Sequence, residues 1–261
     1  MNDPALAAFC AERGQGAGSR WYYASRFLPP APRAAWRALQ ALARDLDPWL
    51  GPRRDPGVAA HRRRWWAEEL EAFAAGRPRH PVTRGLAGRH AVVVPRVTAL
   101  LAAAEAPVRR PDDWEEIRRR AAAYSDPLWS AATELAGGRA GEEVLALGRA
   151  LRVADLVRHA PRLEAAGLPV LPPGLAAGQP EALRRAAAEA AATLGRALDG
   201  LAAAPLPAAE PLWLLGGMAQ AELAELGRPG YHPASGILHL TPLRKLVIAW
   251  RRHRAWRRHL P

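Results

Sequence analysis

Residues Arg20–Gly51 read RWYYASRFLPPAPRAAWRALQALARDLDPWLG. An aromatic opening, Trp21-Tyr22-Tyr23, leads through Ser25-Arg26-Phe27 to Leu28-Pro29-Pro30. Behind it Trp36, Leu39, Ala43 and Leu46 recur at steps of three, four and three, which places them on one face of a helix. Pro32 lies near the start of that helix, where proline is tolerated. Pro48 disfavours helical geometry at Asp47, so the helix is predicted to stop there.

The same period recurs along the chain. Residues 3–13 read as a short amphipathic helix with Leu6 and Phe9 on one side. Gly14–Gly18 reads as a flexible link; no Gly-Lys-Ser/Thr follows it, so it is not a phosphate loop. Further helices are predicted over about 58–75, 82–105 with an interruption near Pro95, 142–165, 181–203, 212–226 and 242–259. Two more start at Asp112-Asp113 and at Tyr124. Val92-Val93-Val94 has strand character, but one three-residue run does not make a sheet. The expected fold class is therefore all-α, with roughly nine or ten helices. With no internal repeat and no long linker, residues 1–261 are expected to form a single domain. The last helix offers Leu243, Leu246, Val247 and Trp250 at i, i+3, i+4 and i+7, which predicts its apolar face.

Composition excludes several classes. The lone Cys10 rules out an intrachain disulfide and a cysteine-based metal or redox framework. Met1–Ala11 lacks the basic start and long apolar run of a secretory signal. No uninterrupted apolar stretch is long enough to span a bilayer. A cytoplasmic protein, soluble or membrane-peripheral, is expected. Net charge is +12, and Lys245 is the only lysine among 37 basic residues. Such an arginine-rich, Ala/Gly/Pro-rich chain carries the mark of a GC-biased coding sequence, and charge alone fixes no partner. Nucleic-acid modules are missing: there is no zinc spacing, RNA-binding aromatic motif or basic zipper. The eight histidines form no HExxH pair, and Ser25 lacks the glycines of a nucleophile elbow.

Taken with its order and spacing, the opening stretch resembles the squalene/phytoene synthase family. Tyr22, Tyr23, Ser25, Arg26, Leu28, Pro29, Arg33 and Arg44 match that family's tyrosine-rich Ser-Arg segment, Leu-Pro and following helix. The Gly76-Arg77-Pro78-Arg79-His80-Pro81 turn and the Tyr124–Gly137 segment match it as well. The resemblance covers about residues 19–255. It implies the isoprenoid synthase fold, a helical bundle around a deep, largely apolar cavity. Its ending is closest to a degenerate branch that includes the mitochondrial complex I assembly factors and their bacterial cousins.

The departures lie in the aspartate-rich motifs that hold Mg²⁺ in the family. In the first motif the places fall to Asp47, Pro48 and Gly51. In the second, Asp155 stands for an asparagine, Arg158 matches the arginine, and His159 and Leu163 stand where aspartates are expected. Carboxylates four apart on a helix share a face and can bind a cation together; this pattern is broken twice. Asp47 thus reads as a remnant of the catalytic motif or as a surface carboxylate at a helix end. By the resemblance, Tyr23, Ser25, Arg26, Arg44, Asp155 and Arg158 are the candidate substrate-binding residues. Asp155, Arg158, His159 and Arg162 share a helix face, read either as a cationic anion site or as a solvated, salt-bridged surface.

The leading expectation is a non-catalytic member that binds an isoprenoid or prenyl diphosphate or acts in assembly, with no cofactor or metal. The alternative is an active head-to-head prenyltransferase condensing two allylic diphosphates, for which Mg²⁺ is required. The basic C-terminal helix adds an expected peripheral membrane contact. The protein partner is open.

Overall fold

The structure, a computed structural model, describes residues 4–50, 55–106, 108–175, 179–231 and 238–260. Gly51, the last position of the first motif, lies outside them, as do His232 and Pro233 of the turn before the final helix. Eleven α-helices are present among the described residues, and no strand. They are α1 (Pro4–Cys10), α2 (Arg20–Ser25), α3 (Pro30–Leu46), α4 (Pro56–Ala74), α5 (Pro81–Gly85) and α6 (His90–Glu105). There follow α7 (Trp114–Leu135), α8 (Glu142–Ala165), α9 (Pro180–Ala203), α10 (Glu210–Leu226) and α11 (Pro242–His259).

Local chemistry sets many of the starts. Pro30, Pro81, Pro180 and Pro242 each open a helix, where the missing N–H has no partner to lose. Ser19, Asp113 and Thr241 cap α2, α7 and α11 by accepting the backbone N–H of Tyr22, Glu116 and Arg244. Such caps contribute about 1 kcal/mol each.

Four sequence readings need correction. The Gly14–Gly18 link is partly ordered, because a π-helical turn, Ala11–Gln15, continues α1. The break in 82–105 falls between α5 and α6 rather than at Pro95, which sits inside α6 together with Val92–Val94. The segments begun at Asp112 and Tyr124 fuse into one helix, α7, through Pro127. Neighbouring helices supply the packing that offsets the hydrogen bond each internal proline removes.

The fourth correction concerns α11. Its predicted apolar face points outward: Leu243 is 71% exposed, Trp250 48%, Leu246 40% and Val247 37%. The buried side carries Lys245, Ala249 and Trp256, with Trp256 tilted against Trp213 at 5.2 Å.

The core centres on α3 and α8. α3 is buried almost all round over its second half, from Ala35 to Leu46. α8 packs against α7, α9 and α10, and fifteen of its 24 residues are buried. Among these are Arg152, Asp155, Arg158 and His159. Buried charges persist only where they are paired, so the middle of α8 marks an internal polar site.

Candidate functional site

That site is a cavity of about 510 Å³ bounded by residues of α2, α3, α7, α8 and α10, with His239 and Lys245 of the C-terminal segment at its edge. Part of its lining is apolar: Trp21, Leu50, Leu128, Trp129 and Leu151. Trp21 and Trp129 stack with centroids 6.2 Å apart and planes 9° apart. Trp129 lies so close to α8 that a Cβ on Gly148 would come within 2.2 Å of its ring, so this position needs glycine. The remainder is polar or charged. Eleven lining side chains carry charge, seven of them cationic and four anionic.

Two ion-pair networks absorb the deep carboxylates. Asp47 caps the turn after α3, accepting Trp49 N–H at 2.9 Å and Leu50 N–H at 2.8 Å. Arg152 of α8 donates to both its oxygens, at 2.5 and 2.8 Å, and lies 4.3 Å over the Tyr124 ring. The Tyr124 hydroxyl donates to the Ala43 carbonyl at 2.8 Å, and burial with Asp47 nearby pushes its pKa up. In the second network Arg20 of α2 bridges Asp155 of α8 and Glu222 of α10, donating to Glu222 at 3.2 Å. Arg158 closes the square, 3.3 Å from Glu222 and 3.7 Å from Asp155.

Burial opposes ionisation of Asp155, but Arg20 and Arg158 outweigh it and hold the carboxyl at about 2. Asp47 is likewise lowered: burial raises it, Arg152 and Arg44 more than offset this. Arg13 is held by Asp45 at 2.7 Å, so with those pairs closed Arg44, Lys245 and Arg162 are the cavity cations left over. Arg44 is 4.0 Å from the already occupied Asp47, and Lys245 donates to the Gly18 carbonyl at 3.0 Å.

His159 has one tautomer available. Its Nδ1 is 2.7 Å from the Asp155 carbonyl, which only accepts, so Nδ1 carries the proton. Its Nε2 is 3.3 Å from Arg158, which only donates. Burial and Arg158 hold its pKa well below the ordinary histidine value. The unfolded chain therefore binds a proton near pH 6.5 that the folded chain refuses, and stability falls as pH drops through that range. The expected slope from this residue is up to about 1.4 kcal/mol per pH unit. Thermal unfolding between pH 7.5 and 5.5 should show a shallower decline in His159→Gln than in the parent.

The structure brings together on this cavity Asp47, Arg44, Asp155 and Arg158, with His159 and, at its rim, the exposed Arg162. Two of the readings given above change. Asp47 is not a surface carboxylate; it is 6% exposed. The face carrying Asp155, Arg158 and His159 is not solvated; these residues are 6–8% exposed. Three candidates lie elsewhere. The Ser25 hydroxyl is spent on the Tyr22 carbonyl. Arg26 is exposed and donates to the Tyr22 hydroxyl. Tyr23 packs half-buried against the core. Short α2 turns Arg20 and Trp21 to the cavity, which leaves these three off its lining.

A resident Mg²⁺ does not fit this donor set. Mg²⁺ demands oxygen ligands in near-octahedral array, whereas Asp47, Asp155 and Glu222 are each already engaged by guanidinium groups. A dication placed among them faces Arg20, Arg152 and Arg158. Leu163 lies in the core at 0% exposure and offers no ligand.

The sequence profile of a family described as Squalene/phytoene synthase matches residues 15–251. Among solved structures, the squalene synthase HpnC from Alicyclobacillus acidocaldarius superposes with a TM-score of 0.67 at 21% identity, over 89% of this chain and 98% of that one. A dehydrosqualene synthase in complex with ligand superposes with a TM-score of 0.71 at 13% identity, over 98% and 97%. At such identities these neighbours speak to fold alone. No curated protein sequence matches significantly.

Proposed function

Since this chain belongs to the squalene/phytoene synthase family and has the all-α isoprenoid synthase fold, we propose that its cavity binds an isoprenoid diphosphate through arginine and lysine, without Mg²⁺ and without condensing two such molecules. One observation carries this reading. The deep carboxylates are closed into pairs, and the surplus cavity charge, Arg44, Lys245 and Arg162, is positive. A diphosphate supplies the missing anion, and guanidinium groups bind phosphate oxygens by strong, charge-assisted hydrogen bonds. The Trp21–Trp129 wall supports an apolar tail in the same cavity.

The absence of condensation follows from the leaving group. Ionising an allylic diphosphate needs its developing charge clamped, a task suited to metal ions. Arginines already committed to Asp47, Asp155 and Glu222 serve binding better than such a clamp.

Calorimetric titration with farnesyl diphosphate tests this reading. Binding is expected to persist in EDTA and to weaken about tenfold in Arg44→Gln, equivalent to one lost charge-assisted contact of about 1.4 kcal/mol. Incubation with radiolabelled farnesyl diphosphate and Mg²⁺, with and without NADPH, is expected to give no hydrocarbon above a protein-free control. Hydrocarbon product abolished by Asp47→Ala makes the active prenyltransferase the correct reading. Neither uptake nor turnover, with a protein partner co-purifying, transfers the role to assembly.

A further inference from the structure

The outward face of α11 has no place in the cavity chemistry. Along its first half it exposes Leu243, Leu246, Val247 and Trp250, all between 37% and 71% accessible. Along its second half the same side exposes Arg251, Arg254, Arg257 and Arg258. At 100° per residue, Leu243, Trp250, Arg254 and Arg257 fall within one quadrant of the helix. Arg254 lies 5.0 Å over the Trp250 ring, so aromatic and cation form one surface. α11 contains no acidic residue, and among the described residues no carboxylate pairs with these four arginines. Arg244, by contrast, is held by Glu225.

We propose that this face docks on an anionic lipid bilayer. An interfacial helix presents apolar side chains to the acyl boundary and arginines to lipid phosphates. The surface has both parts on one side of one helix. No helix among the described residues is long and apolar enough to cross a membrane, so attachment by this face is peripheral. Charge argues against a second copy as the occupant. The chain carries +12, and apposing two such faces brings arginine against arginine. Docking also suits the cavity: the turn that carries Leu246 and Val247 outward carries Lys245 inward to the cavity edge.

The test is co-sedimentation of the full chain with phosphatidylglycerol vesicles and with phosphatidylcholine vesicles. Binding is expected to phosphatidylglycerol, to weaken with added salt and to be slight on phosphatidylcholine. Each arginine near an anionic surface accounts for about fivefold in partitioning. The triple variant Arg254→Gln, Arg257→Gln, Arg258→Gln should therefore bind on the order of 100-fold more weakly. Trp250→Ser should bind more weakly without losing its salt dependence. All these positions are exposed, and helical circular dichroism should be unchanged. No binding to phosphatidylglycerol, binding indifferent to these variants, or self-association abolished by Trp250→Ser in the absence of vesicle binding overturns the proposal.

Discussion

Replacing Arg152 by leucine is expected to lower the unfolding free energy by about 3–5 kcal/mol, read by urea denaturation. The cost arises on the other side of the pair. Asp47 is 6% exposed and its two oxygens accept Arg152 at 2.5 and 2.8 Å. Without the guanidinium, its charge stays buried, supported by two backbone N–H groups and by Arg44 at 4.0 Å. Asp47→Asn removes that charge while Oδ1 still accepts from Trp49 and Leu50. The double variant Asp47→Asn, Arg152→Leu should then recover most of the loss, since replacing a whole buried pair is often near neutral. A double variant as unstable as the single one would assign Arg152 to packing over the Tyr124 ring instead of to charge.

The helices were legible because their period is local. A face spaced by three and four needs no knowledge of the rest of the chain, and α3, α4, α8 and α9 lie close to where the spacing puts them. What period cannot say is which surface a face meets. Leu243, Leu246, Val247 and Trp250 satisfy the amphipathic pattern, yet Ala249 and Trp256 on the other side won the core. Trp256 fills the space beside Trp213, a choice made by tertiary packing.

The site was partly legible for the same reason. Arg152, Asp155 and His159 stand at i, i+3 and i+7, so the spacing that singled out Asp155 and His159 also pointed one turn back to Arg152. Glu222 had no such signal, since α10 also carries Glu210 and Glu225 and only packing shows that Glu222 is the buried one. The pairings had none. Asp47 meets Arg152 across 105 residues, and Arg20 meets Asp155 across 135. Such contacts exist only once α2, α3 and α8 are assembled. Ser25 and Arg26 show the converse: they fit a familiar sequence pattern, but their side-chain hydrogen bonds stay within α2 and its C-cap.

Asp155→Asn separates an arginine cradle from a metal site, because the two predict opposite signs. Asp155 holds Arg20 and Arg158 in place, and with Glu222 balances both charges. Asparagine keeps an acceptor for Arg20 but removes the negative charge, leaving two arginines to share Glu222. Stability should fall by about 2 kcal/mol, the scale of a hydrogen bond to a charged group. Affinity for pyrophosphate should rise. One unit charge removed about 10 Å from the ligand, at an effective dielectric near 20, is worth about 1.7 kcal/mol per ligand charge. Competition within the cavity reduces this, and about tenfold tighter binding is expected. Ligand at about 100 times its dissociation constant then returns about 2.7 kcal/mol and restores the lost thermal stability. Were Asp155 a metal ligand, the same change would weaken pyrophosphate binding and abolish its dependence on Mg²⁺. Titrating both proteins with pyrophosphate, in EDTA and in Mg²⁺, distinguishes the two: tighter binding in EDTA supports the cradle, and weaker binding confined to Mg²⁺ refutes it.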